Sequence, residues 1–280
     1  MDNLTRTIYS SYLATVLNLG LTYEMIEKST LNEKFGVQSG ISPAPGVIPS
    51  IGYFGIGNGG HKLSVGANGY TKSEAVQHRA RDAALYNHIP FILRELTDDI
   101  DVTERIKYGM RRKETYNSTQ YIAYYLRRLD FTNVITTNEY ITVNSGVETV
   151  TDFTPNTSDL NPTPPDLTST GTNVVTGDYL KSSAKINLEF TETDIAELLN
   201  VFNIIYGDNS YAIISEICLV SGVDKVVQSF AANNAVINFN EVIAAQVATY
   251  VNTLYPLSYI NTGFNIALDV GICESLLKIN

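Results

Sequence analysis

Basic residues are so unevenly distributed that they limit how this 280-residue chain can fold or assemble. Of its 19 Lys and Arg, 15 precede residue 131, where they face 13 Asp and Glu. The remaining 150 residues carry 4 basic groups against 16 acids, so the formal charge of −10 divides into about +2 and −12. Such halves can meet a copy of the chain, or a neighbour, with opposite potentials facing each other.

The rest of the composition points the same way. Hydrophobic residues make up 44%, enough for a sizeable core, so the chain is read as folded. Charged residues make up 17%, below the usual quarter, and Asn, Thr, Ser and Tyr fill the gap. Neutral polar surface is cheaper to desolvate than charge, which suits large protein–protein contacts. The 18 Tyr offer rigid contact area with a hydrogen-bonding tip, although tyrosine also lines ordinary strands. Net acidity argues against a dedicated nucleic-acid binder. Cys218 and Cys273 lie in apolar runs and read as buried free thiols in a reducing cytoplasm. The N-terminus shows no secretion signal, and no apolar run approaches the ~20 residues of a membrane helix.

Along the chain, Ile8, Tyr12, Leu13, Val16 and Leu17 predict a helix over 5–18 that stops at Gly20. Residues 36–70, rich in Gly and Pro, read as a long loop. Thr71 and Glu74 have capping-box spacing and predict a helix to Asn87, and Phe91–Arg94 reads as a strand. Two hairpins are expected, Arg105–Glu114 with Tyr121–Leu129, and Tyr140–Val143 with Val147–Val150. Residues 151–178 read as a Pro/Thr-rich linker or arm. Beyond it come a strand near 180–190 and a helix capped by Thr191 and Asp194 that ends at Gly207. A strand pair about Ser221–Asp224, a helix from Asn240 to about Tyr250 and a strand over Phe264–Val270 follow. The expected class is α+β, with two mixed lobes of antiparallel hairpins and packed helices. They span 1–150 and 179–280, joined by 151–178.

Candidate chemistry is sparse. His78 and Asp82, four apart on the expected helix, could chelate a divalent ion with His61 or His88, though no third close ligand accompanies them. Gly57–Lys62 could cradle a phosphate on backbone amides but lacks P-loop spacing, and a tight turn fits it better. Asp98–Asp101 lacks the spacing of a calcium loop and reads as a turn or helix start. Ser215-Glu216 has no nucleophile elbow and no histidine in its own lobe. Arg111, Arg112, Lys113, Arg127 and Arg128 sit on the two arms of one hairpin. They form a candidate docking stripe for an acidic surface, the alternative being solvated side chains or pairing with Glu114 and Asp130.

The stretch Tyr211–Lys225, with its Ile-Ser-Glu-Ile-Cys-Leu strand and small-residue turn, is similar to strands of tailed-bacteriophage virion proteins. The runs Ala84–Phe91 and Tyr121–Leu126 resemble phage structural proteins of tail, neck or baseplate type. The resemblance implies a non-enzymatic adaptor without a cofactor, arranged in a ring with copies of itself and other virion proteins. It implies assembly in the host cytoplasm, no membrane partner, and nucleic-acid contact only if the protein lines a channel. A receptor- or glycan-binding module is the alternative. A metal-dependent hydrolase using His61, His78, Asp82 and His88 is a third reading.

Overall fold

Residues 213–256 hold two long apolar stretches, and a computed structural model of the chain shows both as strands. It describes residues 3–69, 71–162, 174–230, 235–258 and 262–278. Strand occupies 50% of the chain and helix 17%, so the expected α+β class is corrected to a mainly antiparallel β-protein. Two helices exceed a single turn among the described residues, α1 (Ile8–Leu19) and α5 (Glu192–Tyr206). Three one-turn helices complete the set: α2 (Leu31–Lys34), α3 (Val102–Arg105) and α4 (Thr157–Leu160).

The chain forms two compact units, one from residues 1–129 and 190–264, the other from 130–189 and 265–280. Its divisions therefore fall near residues 129, 189 and 264 rather than in one linker at 151–178. Within that expected arm, residues 163–173 lie outside those described.

The first unit is built on an eight-stranded sheet. Its strands are β1 (Asn3–Arg6), β2 (Ser50–Gly57), β5 (His88–Ile89), β6 (Ile92–Glu95), β7 (Tyr108–Tyr116), β8 (Thr119–Arg128), β12 (Ile213–Phe230) and β13 (Val236–Pro256). The path runs β1-β13-β12-β2-β8-β6, with β5 on β2 and β7 on β8. A separate ribbon pairs β3 (His61–Val65) with β4 (Thr71–Ala75).

Several expectations fail here for one reason: burial on both faces removes the period-2 signature of a strand. Every residue from Ile214 to Gly222 is buried in β12, and every residue from Glu241 to Ala248 in β13. The 241–249 segment therefore fits a helix pattern yet pairs along β12 through Val242, Ile243, Gln246, Val247 and Thr249, with Ala244, Ala245 and Ala248 at the register shifts and Ala244 at φ 50°. The turn expected at Ser221–Asp224 is continuous strand with a bulge, Ser221 opposite Gln246 and Val223 opposite Ile243. Gly222 is there for close approach, since a Cβ would collide with Val242. The Gly/Pro-rich segment 36–70 contains β2, an interior strand between β12 and β8. Thr71–Ala75 is strand, and Val76–Asn87 is loop rather than helix: Val76 donates to the Gly60 carbonyl and Ala80 accepts from Ile8.

Locally encoded elements match expectation. Thr191 and Asp194 close a capping box on α5, and Gly207 ends it in the left-handed conformation. Helix α1 is capped by Thr7, stops at Gly20, and buries Leu13 and Val16 against Tyr23. The β7–β8 hairpin turns through Asn117 and Ser118, both at positive φ.

The second unit is one four-stranded sheet, ordered β10-β9-β11-β14. Its strands are β9 (Thr136–Asn144), β10 (Val147–Asp152), β11 (Val174–Phe190) and β14 (Phe264–Lys278). The β9–β10 hairpin turns through Ser145 and Gly146, both at positive φ.

Candidate functional site

The most elaborate polar cluster sits where β2 leaves the large sheet. Glu216, in β12, is fully buried. Its carboxylate accepts from the backbone N–H of Gly59 and Asn87 at 2.9 Å and of Tyr86 at 3.0 Å. His78 Nε2 donates to Glu216 Oε2 at 2.7 Å. The His78 ring is stacked between Tyr86 and Tyr250, at centroid distances of 4.1 and 3.9 Å. Its Nδ1 lies 3.5 Å from Asp82 Oδ2 and makes no hydrogen bond. The amides of the Gly57–Lys62 turn thus do cradle an anion, but the anion is the chain's own carboxylate. Gly57 is required because a Cβ there would meet the Asn87 carbonyl and Glu216.

Sequence reasoning set Ser215-Glu216 aside for want of a nearby histidine, and the fold supplies one from 138 residues away. The signal was a lone carboxylate inside an apolar run, which burial permits only with several donors. The pair resembles an acid–base dyad in chemistry. Yet His78 has no exposed side-chain surface, so it cannot touch a substrate.

The other histidines go elsewhere. His88 Nε2 accepts from the Leu85 N–H at 3.0 Å, and burial, with Lys34 and His78 adding to it, pushes its pKa down to about 3. His61 pairs in the β3–β4 ribbon opposite Ala75. No group of three or more His, Cys, Asp or Glu among the described residues could hold a metal. Asp99 pairs with Arg111 at 2.8 Å and Arg105 at 3.4 Å, and Asp101 caps α3.

The hairpin arginines meet acids of their own chain. Register places Arg111 opposite Tyr124 and Arg127 opposite Tyr108, so like charges are not opposed. Arg111 is buried and also reaches Ser229 at 3.0 Å. Arg112 pairs with Glu241, Arg127 with Asp194 at 2.9 Å, and Arg128 with Asp224 at 2.7 Å. Arg128 also lies over the Tyr53 ring, 5.0 Å from its centroid. Glu114 and Asp130, the expected local partners, are engaged instead by Tyr125 and Thr132. Of the five stripe residues, Lys113 alone is exposed. The basic and acidic halves therefore meet inside the first unit, and an external docking role for the four arginines would require breaking these pairs.

Two of the open surfaces bear on assembly. A cleft of about 600 Å³ is lined by Lys28, Lys34, Arg79, Glu33, Asp82 and Tyr86. The second lies on the single-layer sheet. Lys181 bonds Asp269 at 2.7 Å, which places the odd residues of β14 on the Lys181 face. Leu268, Val270, Ile272 and Leu276 then line the other face with Leu180, Ala184 and Ile186. That apolar face is incompletely covered, since Ile272 is 52% exposed. On the same sheet Cys273 is exposed, a correction to its expected burial, while Cys218 is buried as expected.

No curated protein and no solved structure matches the chain. A family model does match it over residues 1–280, and the chain belongs to that family, DUF7208, a family of unknown function.

Proposed function

We propose that this protein is a structural adaptor subunit of a tailed-phage virion, placed in the neck, tail or baseplate and acting through protein–protein interfaces. The observation that carries the assembly reading is the second unit's single-layer sheet. Among the described residues this unit offers one sheet and a one-turn helix, and its apolar face, buried at Ile186, is left open at Ile272; such a face is ordinarily covered by another element. Exposed apolar side chains extend beyond that face: Ile135 is 74% exposed, Val147 66% and Leu160 82%. Strand β10 is an edge strand exposed at all six residues. A long exposed edge is a template for pairing with another chain unless something shields it.

The virion assignment is supported by the resemblance of Tyr211–Lys225, Ala84–Phe91 and Tyr121–Leu126 to phage structural proteins. Light scattering of the purified protein and mass spectrometry of virions test the reading. It predicts a self-associating subunit present in particles at stoichiometric copy number. A protein that stays monomeric and is missing from particles sinks it.

A further inference from the structure

We infer that the cleft bounded by Lys28, Lys34 and Arg79 receives the exposed, cation-free segment 147–160 of a second copy of this chain, at the edge strand β10 and α4; this rests on the assembly reading above. That segment holds Glu148, Asp152 and Asp159, and it lies in a run, 129–180, with seven Asp and Glu and no Lys or Arg. The second unit as a whole carries ten acids against three bases. Two such units brought edge to edge repel each other, so β10 is poorly suited to pairing with its own copy. A cationic receiving surface is needed, and the hairpin arginines are committed to internal pairs.

The cleft supplies that surface. Asp82 on its wall is held by Arg79, through the backbone N–H at 2.9 Å and Nε at 3.2 Å. Glu33 Oε2 accepts from the Thr30 hydroxyl at 3.3 Å. Lys28 and Lys34 are exposed and make no ion pair within 4.0 Å among the described residues. Three cations against two carboxylates leave the cleft at about +1, and the uncommitted part of that charge is these two lysines. Lys28 is also pre-positioned. Its backbone is left-handed at φ 59°, and the next residue, Ser29, is buried and bonded to Ile26 and Gln246. A lysine whose backbone is fixed loses less freedom on binding than one on a loose loop. The occupant's exposed Glu148 and Asp152 supply charge, and its exposed Val147 and Leu160 supply apolar surface for the alanines and Tyr86 of the cleft.

Sedimentation equilibrium of the full chain tests this. Wild-type protein is expected to self-associate, and more weakly as salt rises from 50 to 500 mM. The double variant Lys28→Glu/Lys34→Glu should keep the wild-type melt and weaken association by about tenfold or more, as removing complementary charge does. Mixing it with a Glu148→Lys/Asp152→Lys variant should restore association. Wild-type affinity in the lysine variant, or no recovery in the mixture, overturns the cleft assignment and leaves the assembly reading intact. A wild-type protein that is monomeric at every concentration overturns both.

Discussion

His78 Nε2 lies 2.7 Å from Glu216 Oε2, joining the loop after β4 to the start of β12. Both side chains have no exposed surface, so the pair holds the Gly57–Lys62 turn, the 76–87 loop and the central sheet together. Replacing Glu216 by Gln keeps the shape but turns an amide N–H₂ toward groups that themselves donate. Removing one partner of a buried, hydrogen-bonded charge costs about 3–5 kcal/mol. Urea unfolding of Glu216→Gln should show a loss of that size, whereas a loss under about 1 kcal/mol would contradict the node's structural role.

The arginine pairs are ranked by burial. Arg111 has 4% side-chain exposure beside Asp99, whereas Arg128 has 25% and its partner Asp224 has 42%. Arg111→Glu sets two carboxylates together in a dry site and should destabilise by about 3 kcal/mol or more. Arg128→Ala removes a more exposed pair and a ring contact and should cost about 1 kcal/mol. Thermal melts that place the two variants together would refute the ranking.

Acid sensitivity should trace in part to His88. Burial, with Lys34 and His78 adding to it, lowers its folded pKa to about 3 from an ordinary 6.5. The unfolded chain then takes up a proton that the folded chain refuses, so stability is present above pH 6.5 and falls as pH drops toward 3. The slope from this one group is at most about 1.4 kcal/mol per pH unit. His88→Asn, which retains an acceptor for the Leu85 N–H, should lose less stability than wild type between pH 7 and pH 5. Parallel losses in urea titrations at the two pH values would remove His88 as the cause.

Thiol labelling should separate the cysteines. Cys273 is exposed on β14, while Cys218 is buried in β12, where burial pushes its pKa upward. Ellman's reagent should modify one thiol per native chain and the second only on unfolding, and Cys273→Ser should abolish the native reaction. Two fast native thiols would contradict the burial of Cys218.

What the sequence announced was local. A capping box, a glycine stop and two left-handed hairpin turns each act within a few residues, and α5, the β7–β8 hairpin and the β9–β10 hairpin appear where those signals stand. Strands β2 and β13 were illegible because their contacts are distant. Gly55 and Gly57 look like loop residues until β12 closes on them, and Ala244 and Ala245 look helical until both faces are buried. The charge asymmetry was visible, but its resolution was not. Arg112 and Glu241 lie 129 residues apart, and only the sheet order brings them together. The open sheet, by contrast, was partly visible in the strand expected over Phe264–Val270.

The path of the chain through the large sheet also bears on biosynthesis. Strand β2 is finished by residue 57, and its neighbour β12 does not begin until residue 213. β5 and β8 can pair with one edge of β2 by residue 128, but its other edge, along an apolar, glycine-rich strand, stays open until β12 is made. Chaperone retention of that interval, or slow closure after release, is the toll of placing an early strand beside a late one.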